Sequence, residues 1–236
     1  MAGGPAGHGG HDDEGFRSRD RAPGTDRRVA RGLRSRRALM DAVIDLIEDG
    51  HPAPSGRRVA ARARVGVRTV FRHFDGVDDL YCQAVDRYLT EVAASITAVP
   101  ARGPLQVRVA LVVHQRRWLF EEVGPVLRAS YAREPAIPAL HAVLNGQRWA
   151  LRRQWARALA PELHGRGPLG PAVLTTVETV SGWPQWSTLR HQSGHSAHQA
   201  ERVMAFLVTR ILEHRHDEPL DGGLPGFSPR PTRGSD

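Results

Sequence analysis

The sequence predicts an all-α protein, with a three-helix helix-turn-helix unit near the N-terminus and a larger helical domain after it. Two short helices joined by a tight turn fit residues 55–74. Apolar residues recur with the helical period of about 3.6 residues through residues 105–214. Between these regions, Pro100 and Pro104 interrupt the helical pattern and indicate a domain boundary. A chain of 236 residues is long enough to bury one small and one medium-sized core.

Composition excludes several classes of protein. The sequence contains no apolar run of about 18 residues, so we expect neither a membrane span nor a membrane partner. The N-terminus lacks the apolar segment of a secretion signal. Cys82 is the sole cysteine, which leaves no disulfide framework and no thiolate metal cluster. We therefore expect a cytoplasmic protein.

Positive charge is concentrated in the first third of the chain. Residues 17–73 contain 15 Arg and six acidic residues, whereas the whole chain has a net charge of +8. All 33 Lys and Arg positions are Arg. This usage reflects either codon bias in a GC-rich genome or the better fit of a guanidinium to phosphate. The location of the excess charge indicates a contact with nucleic acid.

The N-terminal region is predicted to contain an arm and a helix. Residues 1–33 are poor in large apolar side chains, so we expect a disordered, Arg-rich arm. This arm is either a DNA contact or a solvated tail. The first helix is predicted over residues 34–49, with an apolar stripe of Leu39, Ala42, Val43, Leu46 and Ile47. Its first turn would hold three cations that the helix dipole disfavours, so we expect an anion beside Arg34, Arg36 and Arg37.

The helix-turn-helix is predicted over residues 57–63 and 67–73, with Ser55 as the N-cap. The inner face of the first helix consists of Val59, Ala60 and Ala63. The second helix buries Val70 and Phe74. It turns outward Arg68, Thr69, Phe71, Arg72 and His73. A basic helix after a tight turn is the geometry that places side chains in a DNA major groove.

The run from Val59 to Val85 resembles the signature of the tetracycline-repressor (TetR) family of bacterial transcription regulators. The matching residues are Val59, Ala60, Arg62, Ala63, Val65, Thr69, Val70, Phe71, Arg72, His73, Phe74 and Leu80. The resemblance implies a DNA-binding domain over residues 34–95 and a helical regulatory and dimerisation domain over residues 105–214. It also implies a homodimeric repressor on a near-palindromic double-stranded DNA operator, released by an unknown small-molecule effector.

The predicted DNA contacts combine this resemblance with the helix geometry. They are Ser55, Arg57, Arg58, Arg68, Thr69, Phe71, Arg72 and His73. We assign phosphate contacts to Arg57, Arg58 and His73. Base contacts are assigned to Arg68 and Thr69, because Arg pairs with guanine and Thr contacts a thymine methyl group.

Four positions depart from the family pattern. Arg64 replaces the usual turn Gly, which predicts an unfavourable positive φ if the turn keeps its shape. Gly66 replaces the usual Ser cap of the second helix. Phe71 replaces a commoner Tyr and lacks the hydroxyl that contacts phosphate. Val77 replaces a commonly basic residue.

The remaining helices are predicted at residues 77–97, 105–122, 125–133, 137–160, 170–190 and 196–214. The resemblance implies that the first of these links the two domains. It also implies that the last two pair with their copies in a dimer. Pro184 is expected to interrupt its helix, and residues 217–236 are expected to be a disordered tail.

All five Trp residues lie in the second domain. One interpretation places Trp118, Trp155 and Trp183 in an apolar ligand pocket between helices. The alternative is that they fill the core or a dimer interface. Surface ion pairs are expected within one helix, among Arg116, Arg117, Glu121 and Glu122.

Neither a metal site nor a catalytic site is predicted. His191, His195 and His198 have a spacing that suits a metal, but Gly194 is expected to break the helix between them. The sequence contains no recognisable nucleophile–base pair, carboxylate pair or phosphate-binding Gly loop, so we expect no cofactor and no enzymatic activity.

Two other functions remain open from the sequence. One is a constitutive or architectural DNA-binding protein without a ligand, for which we expect a second domain without a cavity. The other is a regulator whose second domain binds a protein partner, for which we expect a large exposed apolar patch.

Overall fold

The structure is a computed structural model that describes residues 23–214, and every regular element in this range is helical. The predicted all-α class is confirmed. The N-terminal helices are α1 (Pro23–Glu48), α2 (Gly56–Arg62), α3 (Val67–His73) and α4 (Val77–Ala93). None of the described helices is long and apolar enough to cross a membrane.

The C-terminal helices match the predicted order. They are α5 (Leu105–Glu122), α6 (Gly124–Arg133), α7 (Pro138–Ala158), α8 (Ala160–Gly165), α9 (Gly170–Ser181), α10 (Trp183–Ser187) and α11 (Ala197–Glu213). The predicted interruption near Pro184 is confirmed, because Gly182 is extended (φ −86°, ψ 174°) between α9 and α10. The short α8 was not predicted as a separate helix.

Helix α1 begins eleven residues before the predicted start at residue 34. The prediction of disorder is therefore wrong for residues 23–33, whereas the predicted arm over residues 1–22 and the predicted tail lie outside the described residues. Proline at the first helical position has its φ already set for a helix. The Arg, Ala and Leu residues that follow have high helix propensity. The prediction of disorder relied on the low apolar content of this stretch and did not weigh that propensity.

The early start of α1 changes the environment of Arg36. Instead of lying in a first turn, this residue lies in the middle of the helix, so the dipole argument for a nearby anion is wrong. Its Nη1 donates a hydrogen bond of 2.6 Å to the backbone oxygen of His73, and its Nη2 donates to Gln83. The guanidinium lies 4.5 Å from the centre of the Phe74 ring. Arg36 therefore joins α1 to the C-terminal end of α3 and to α4.

Helix α4 connects the N-terminal helices to the C-terminal ones. It packs against α1 on one side and against α7 on another. The Tyr88 hydroxyl donates to Glu48 of α1 over 3.2 Å. The Tyr81 hydroxyl lies 3.4 Å from Ser130 of α6, and the guanidinium of Arg133 lies 4.2 Å from the centre of the Tyr81 ring. Helix α4 is therefore in direct contact with α1, α6 and α7.

We predict that Arg36→Met lowers the free energy of unfolding by about 1.5–3 kcal/mol, because it removes charge-assisted hydrogen bonds that no other described side chain replaces. Arg37→Met on the same helix is the control, since the Arg37 side chain is 69% exposed, and we expect a change within about 0.5 kcal/mol. Urea unfolding of the two variants measures the difference. Equal losses would show that Arg36 does not position α3.

Candidate nucleic-acid interface

The first helix of the motif is fixed by its cap and by a close approach to α4. The Ser55 hydroxyl accepts a hydrogen bond from the Arg58 backbone N–H over 3.4 Å, which confirms the predicted N-cap. Val59 is fully buried, as predicted. A Cβ atom at Gly56 would lie 3.0 Å from a methyl group of Val77. The replacement of a basic residue by Val77 therefore provides packing between α4 and the start of α2.

The turn between α2 and α3 keeps a conformation that suits glycine. Arg64 has φ 55°, so the predicted positive φ is confirmed. It is the sole residue other than glycine with a positive φ in the part of the chain that the structure describes. Left-handed backbone costs an L-residue about 1–2 kcal/mol. Gly66 is the N-cap of α3 and provides no side-chain hydrogen bond to the helix. Both departures from the family pattern therefore reduce the stability of the turn.

Helix α3 buries one side and exposes the other. Val70 and Phe74 are buried, as predicted. The exposed face consists of Arg68, Phe71 and Arg72, and the Phe71 side chain is 61% exposed. Thr69 and His73 were expected to point outward, but both are half-buried at the edges of this face. At about 100° per residue, Thr69 lies around the helix between Arg72 and the buried Val70, which places it at the edge of the exposed face.

The imidazole of His73 lies between α3 and α1. A Cβ atom at Gly32 would be 3.7 Å from His73 Cε1. The buried His73 Nε2 has no hydrogen-bond partner among the described residues. Burial, reinforced by the neighbouring charges of Arg72 and Arg36, lowers the pKa of His73 below its usual value. The shift favours the neutral imidazole, and the assignment of His73 as a phosphate contact stays a prediction.

The motif carries arginine without neutralising acids. The segment from Ser55 to Phe74 contains six Arg and no acidic residue. Among the described residues, only one of these six forms an ion pair with carboxylates: Arg62, with Asp49 and Asp45. The exposed arginines without a carboxylate partner in the described part of the chain are Arg57, Arg58, Arg64, Arg68 and Arg72. Their positive field is available to an external anion.

Arginines in the C-terminal helices more often have protein partners. Arg108 pairs with Glu162, and Arg148 pairs with Glu134. The predicted ion pairs within α5 are wrong. Arg117 instead contacts Glu201 of α11, and Glu121 contacts Arg190. Arg116 is 2% exposed and is not a surface residue.

The three Trp residues predicted to bind a ligand occupy different environments. Trp183 lines a cavity of about 380 Å³ between α5, α6, α7 and α9, and its ring contacts Phe120 edge-on at 5.8 Å. Trp155 is fully buried, and its Nε1 donates to Ser181 over 2.8 Å. Trp118 is 42% exposed, on the side of α5 away from the buried residues. Trp183 alone of the three lines this cavity.

We predict that Arg64→Gly is more stable than Arg64→Ala by about 1 kcal/mol, because only glycine removes the strain of the positive φ. The alanine variant is the matched control, since it also removes the charge and the side-chain atoms beyond Cβ. Guanidinium chloride unfolding compares the two proteins. An alanine variant as stable as the glycine variant would contradict a strained turn.

The overall fold matches those of solved transcriptional regulators. A transcriptional regulator from Rhodococcus sp. Rha1 aligns with a TM-score of 0.57 and 19% identity, over 75% of this chain and 96% of its own. A proposed transcriptional regulator from Pseudomonas aeruginosa PAO1 aligns with a TM-score of 0.59 and 15% identity, over 75% and 89%. A proposed TetR-family regulator from Mesorhizobium loti MAFF303099 aligns with a TM-score of 0.55 and 16% identity, over 77% and 96%.

Sequence comparison adds no closer relative, since no protein-family model and no curated protein matches the chain. At 15–19% identity, the structural matches establish the fold and not the activity. The chain therefore has the all-α, helix-turn-helix fold of TetR-like transcriptional regulators.

Proposed function

We propose that this protein is a DNA-binding transcriptional regulator that acts as a homodimer and places α3 in the major groove. The observation that carries this proposal is the exposed face of α3, where Arg68 and Arg72 have no carboxylate partner among the described residues. Unpaired arginines on a helix that follows a tight turn can contact base edges and phosphates together. The fold shared with transcriptional regulators supports the same conclusion.

Four side chains of the motif have a proposed part in this contact. Arg68, on the exposed face, is assigned to a guanine base edge. Arg57 and Arg58, in the first turn of α2, are assigned to phosphates. Thr69 is half-buried, so its proposed contact is with the backbone or a thymine methyl group beside the helix rather than at the centre of the groove.

A dimer is proposed because a near-palindromic operator needs two copies of α3, about 34–36 Å apart. Helices α5 and α11 lie side by side, joined by the contact between Arg117 and Glu201. Together they expose four large apolar side chains, namely Val107, Leu111, Trp118 and Phe206. We assign this face, which includes the last helix, to the contact between subunits.

Release by a small molecule is proposed to act through α4. Beside the cavity that Trp183 lines is a second one of about 300 Å³, which Leu89 and Ala93 of α4 help to line. We propose that occupation of the second cavity shifts α4, and with it the α3 helix that Arg36 ties to it. By linkage, an effector that weakens operator binding is itself bound more weakly by the operator complex, by the same factor. The cavities favour this proposal over a regulator without a ligand.

The test of DNA recognition begins with selection of bound fragments from genomic DNA at 50 and 200 mM salt. We expect a short palindromic motif at both salt concentrations. In Arg68→Ala, discrimination at one position of each half-site should weaken by about 1–3 kcal/mol. Arg102→Ala is the control, because Arg102 is exposed outside the motif. DNA binding that shows no sequence motif and is lost at the higher salt would instead indicate an architectural protein that binds through phosphate contacts alone.

We predict that Phe206→Glu weakens dimerisation roughly 30-fold, the effect of an interface residue worth about 2 kcal/mol. Phe206 is 58% exposed on α11. Trp149→Glu is the matched control, since Trp149 is 59% exposed on α7 away from the proposed face. Analytical ultracentrifugation over a concentration series measures both variants. A Phe206 variant that dimerises as well as the control would rule out this interface.

A further inference from the structure

The cavity between α5, α6, α7 and α9 has mostly apolar walls and one buried cation. Its volume of about 380 Å³ is near the lower end of the range for small-molecule sites. Phe120, Leu144 and Trp183 contribute large apolar surfaces. Arg116 of α5 also lines it and is 2% exposed. The walls therefore suit a small organic molecule that carries a polar group.

Arg116 lacks the partners that a buried guanidinium normally has. Its Nη2 donates to the backbone oxygen of Leu151 over 2.8 Å, and the Trp155 ring centre lies 5.9 Å from its guanidinium carbon. Its Nε is buried and has no hydrogen-bond partner among the described residues. No carboxylate in the described part of the chain forms an ion pair with it. Burial lowers the pKa of Arg116 to about 9, so the side chain remains protonated at pH 7.

A second buried arginine on the same helix, Arg108, has hydrogen-bond partners within the protein. Arg108 is 4% exposed and lies two helical turns before Arg116. Its Nη1 donates to Glu162 over 2.9 Å, and its Nε donates to Gly103 over 3.1 Å. Arg108 is thus fully bound within the protein, whereas Arg116 keeps an unused donor.

The other charges around the cavity cancel in pairs. Arg148 bonds to Glu134 through both of its terminal nitrogens, at 2.8 and 2.7 Å. Glu178 bonds to Arg152. One positive charge is left over, on Arg116. The carboxylate of Glu178 also attracts Arg116 but is itself paired with Arg152, so an anion that reaches Arg116 would gain a charge-assisted hydrogen bond.

We infer that this cavity binds a small monocarboxylic acid, with the carboxylate on Arg116 and an aromatic or aliphatic body against Phe120, Leu144 and Trp183. A single surplus charge favours a monoanion over a phosphate dianion. The nearby Glu178 carboxylate further disfavours a second negative charge. Two hydroxyls of the wall, on Thr175 and Thr179, already donate to backbone oxygens of α9 and do not provide a phosphate cradle. The effect of this acid on DNA binding rests on the proposed function, whereas its binding does not.

The experiment compares acids with their neutral amides on the full chain at pH 7.5. The probes are benzoate, phenylacetate, 3-phenylpropanoate, indole-3-acetate, hexanoate and octanoate, each with the matching amide. Thermal shift identifies binders, and calorimetry measures their affinity. We expect at least one acid to bind ten-fold or more tightly than its amide. If no acid exceeds its amide, the inference is overturned.

The Arg116→Met variant tests whether Arg116 binds the acid or only stabilises the core. The variant should bind the best acid at least ten-fold more weakly and its amide within about three-fold of the original affinity. Its melting temperature without ligand should be equal or higher, because the change removes an unpaired buried charge and keeps an apolar stem of similar length to that of arginine. Arg202→Met, at an exposed position of α11, is the control. A lower melting temperature together with unchanged preference for the acid would assign Arg116 to the core alone and overturn the inference.

The inference and the proposed function fail in different ways. Acid binding that depends on Arg116 but leaves operator affinity unchanged supports this site and contradicts the proposed effector response. Motif-specific DNA binding without any preference for acids over amides supports the regulator and overturns this site.

Discussion

The hydrogen bond from Arg36 to the backbone oxygen of His73 stabilises α3, a helix that is too short to be stable alone. Helix α3 has seven residues, and an isolated helix of that length is not stable in water. Its orientation therefore depends on Val70 and Phe74 in the core and on the guanidinium that covers its last turn. The same guanidinium bonds to Gln83 of α4 and thereby links α3 to α4.

The described arginines fall into those that pair with carboxylates of the protein and those that do not. Arg108 and Arg148 have carboxylates within the chain and stabilise the C-terminal helices. The arginines of α3 have none among the described residues, and neither does Arg116. The arginines of α3 are exposed to solvent, where an unpaired charge costs little. Arg116 is buried, so its missing partner has a larger energetic consequence.

Periodicity predicted the helices well because it reports which side of a helix is apolar. It placed the apolar stripe of α1 and the buried residues of α3 correctly, and the turn position of Arg64 correctly predicted its positive φ. It did not predict the roles of polar residues, since these depend on distant partners. The His73 oxygen that Arg36 binds lies 37 residues away. The start of α1 at Pro23 was missed because helix propensity alone, without an apolar stripe, is a weak signal.

A signal for Arg116 was nevertheless present in the sequence. It lies four residues after Val112 and four before Phe120, both of which are buried, so the helical period places it on the inner face of α5. The same spacing places Arg108 on that face, four residues before Val112. Of these two buried arginines, Arg108 forms an ion pair with Glu162, whereas Arg116 forms none with any carboxylate of the described residues. The cavity that Arg116 lines gives the proposed carboxylate room to reach it, so the burial of this arginine and the cavity beside it support the same site.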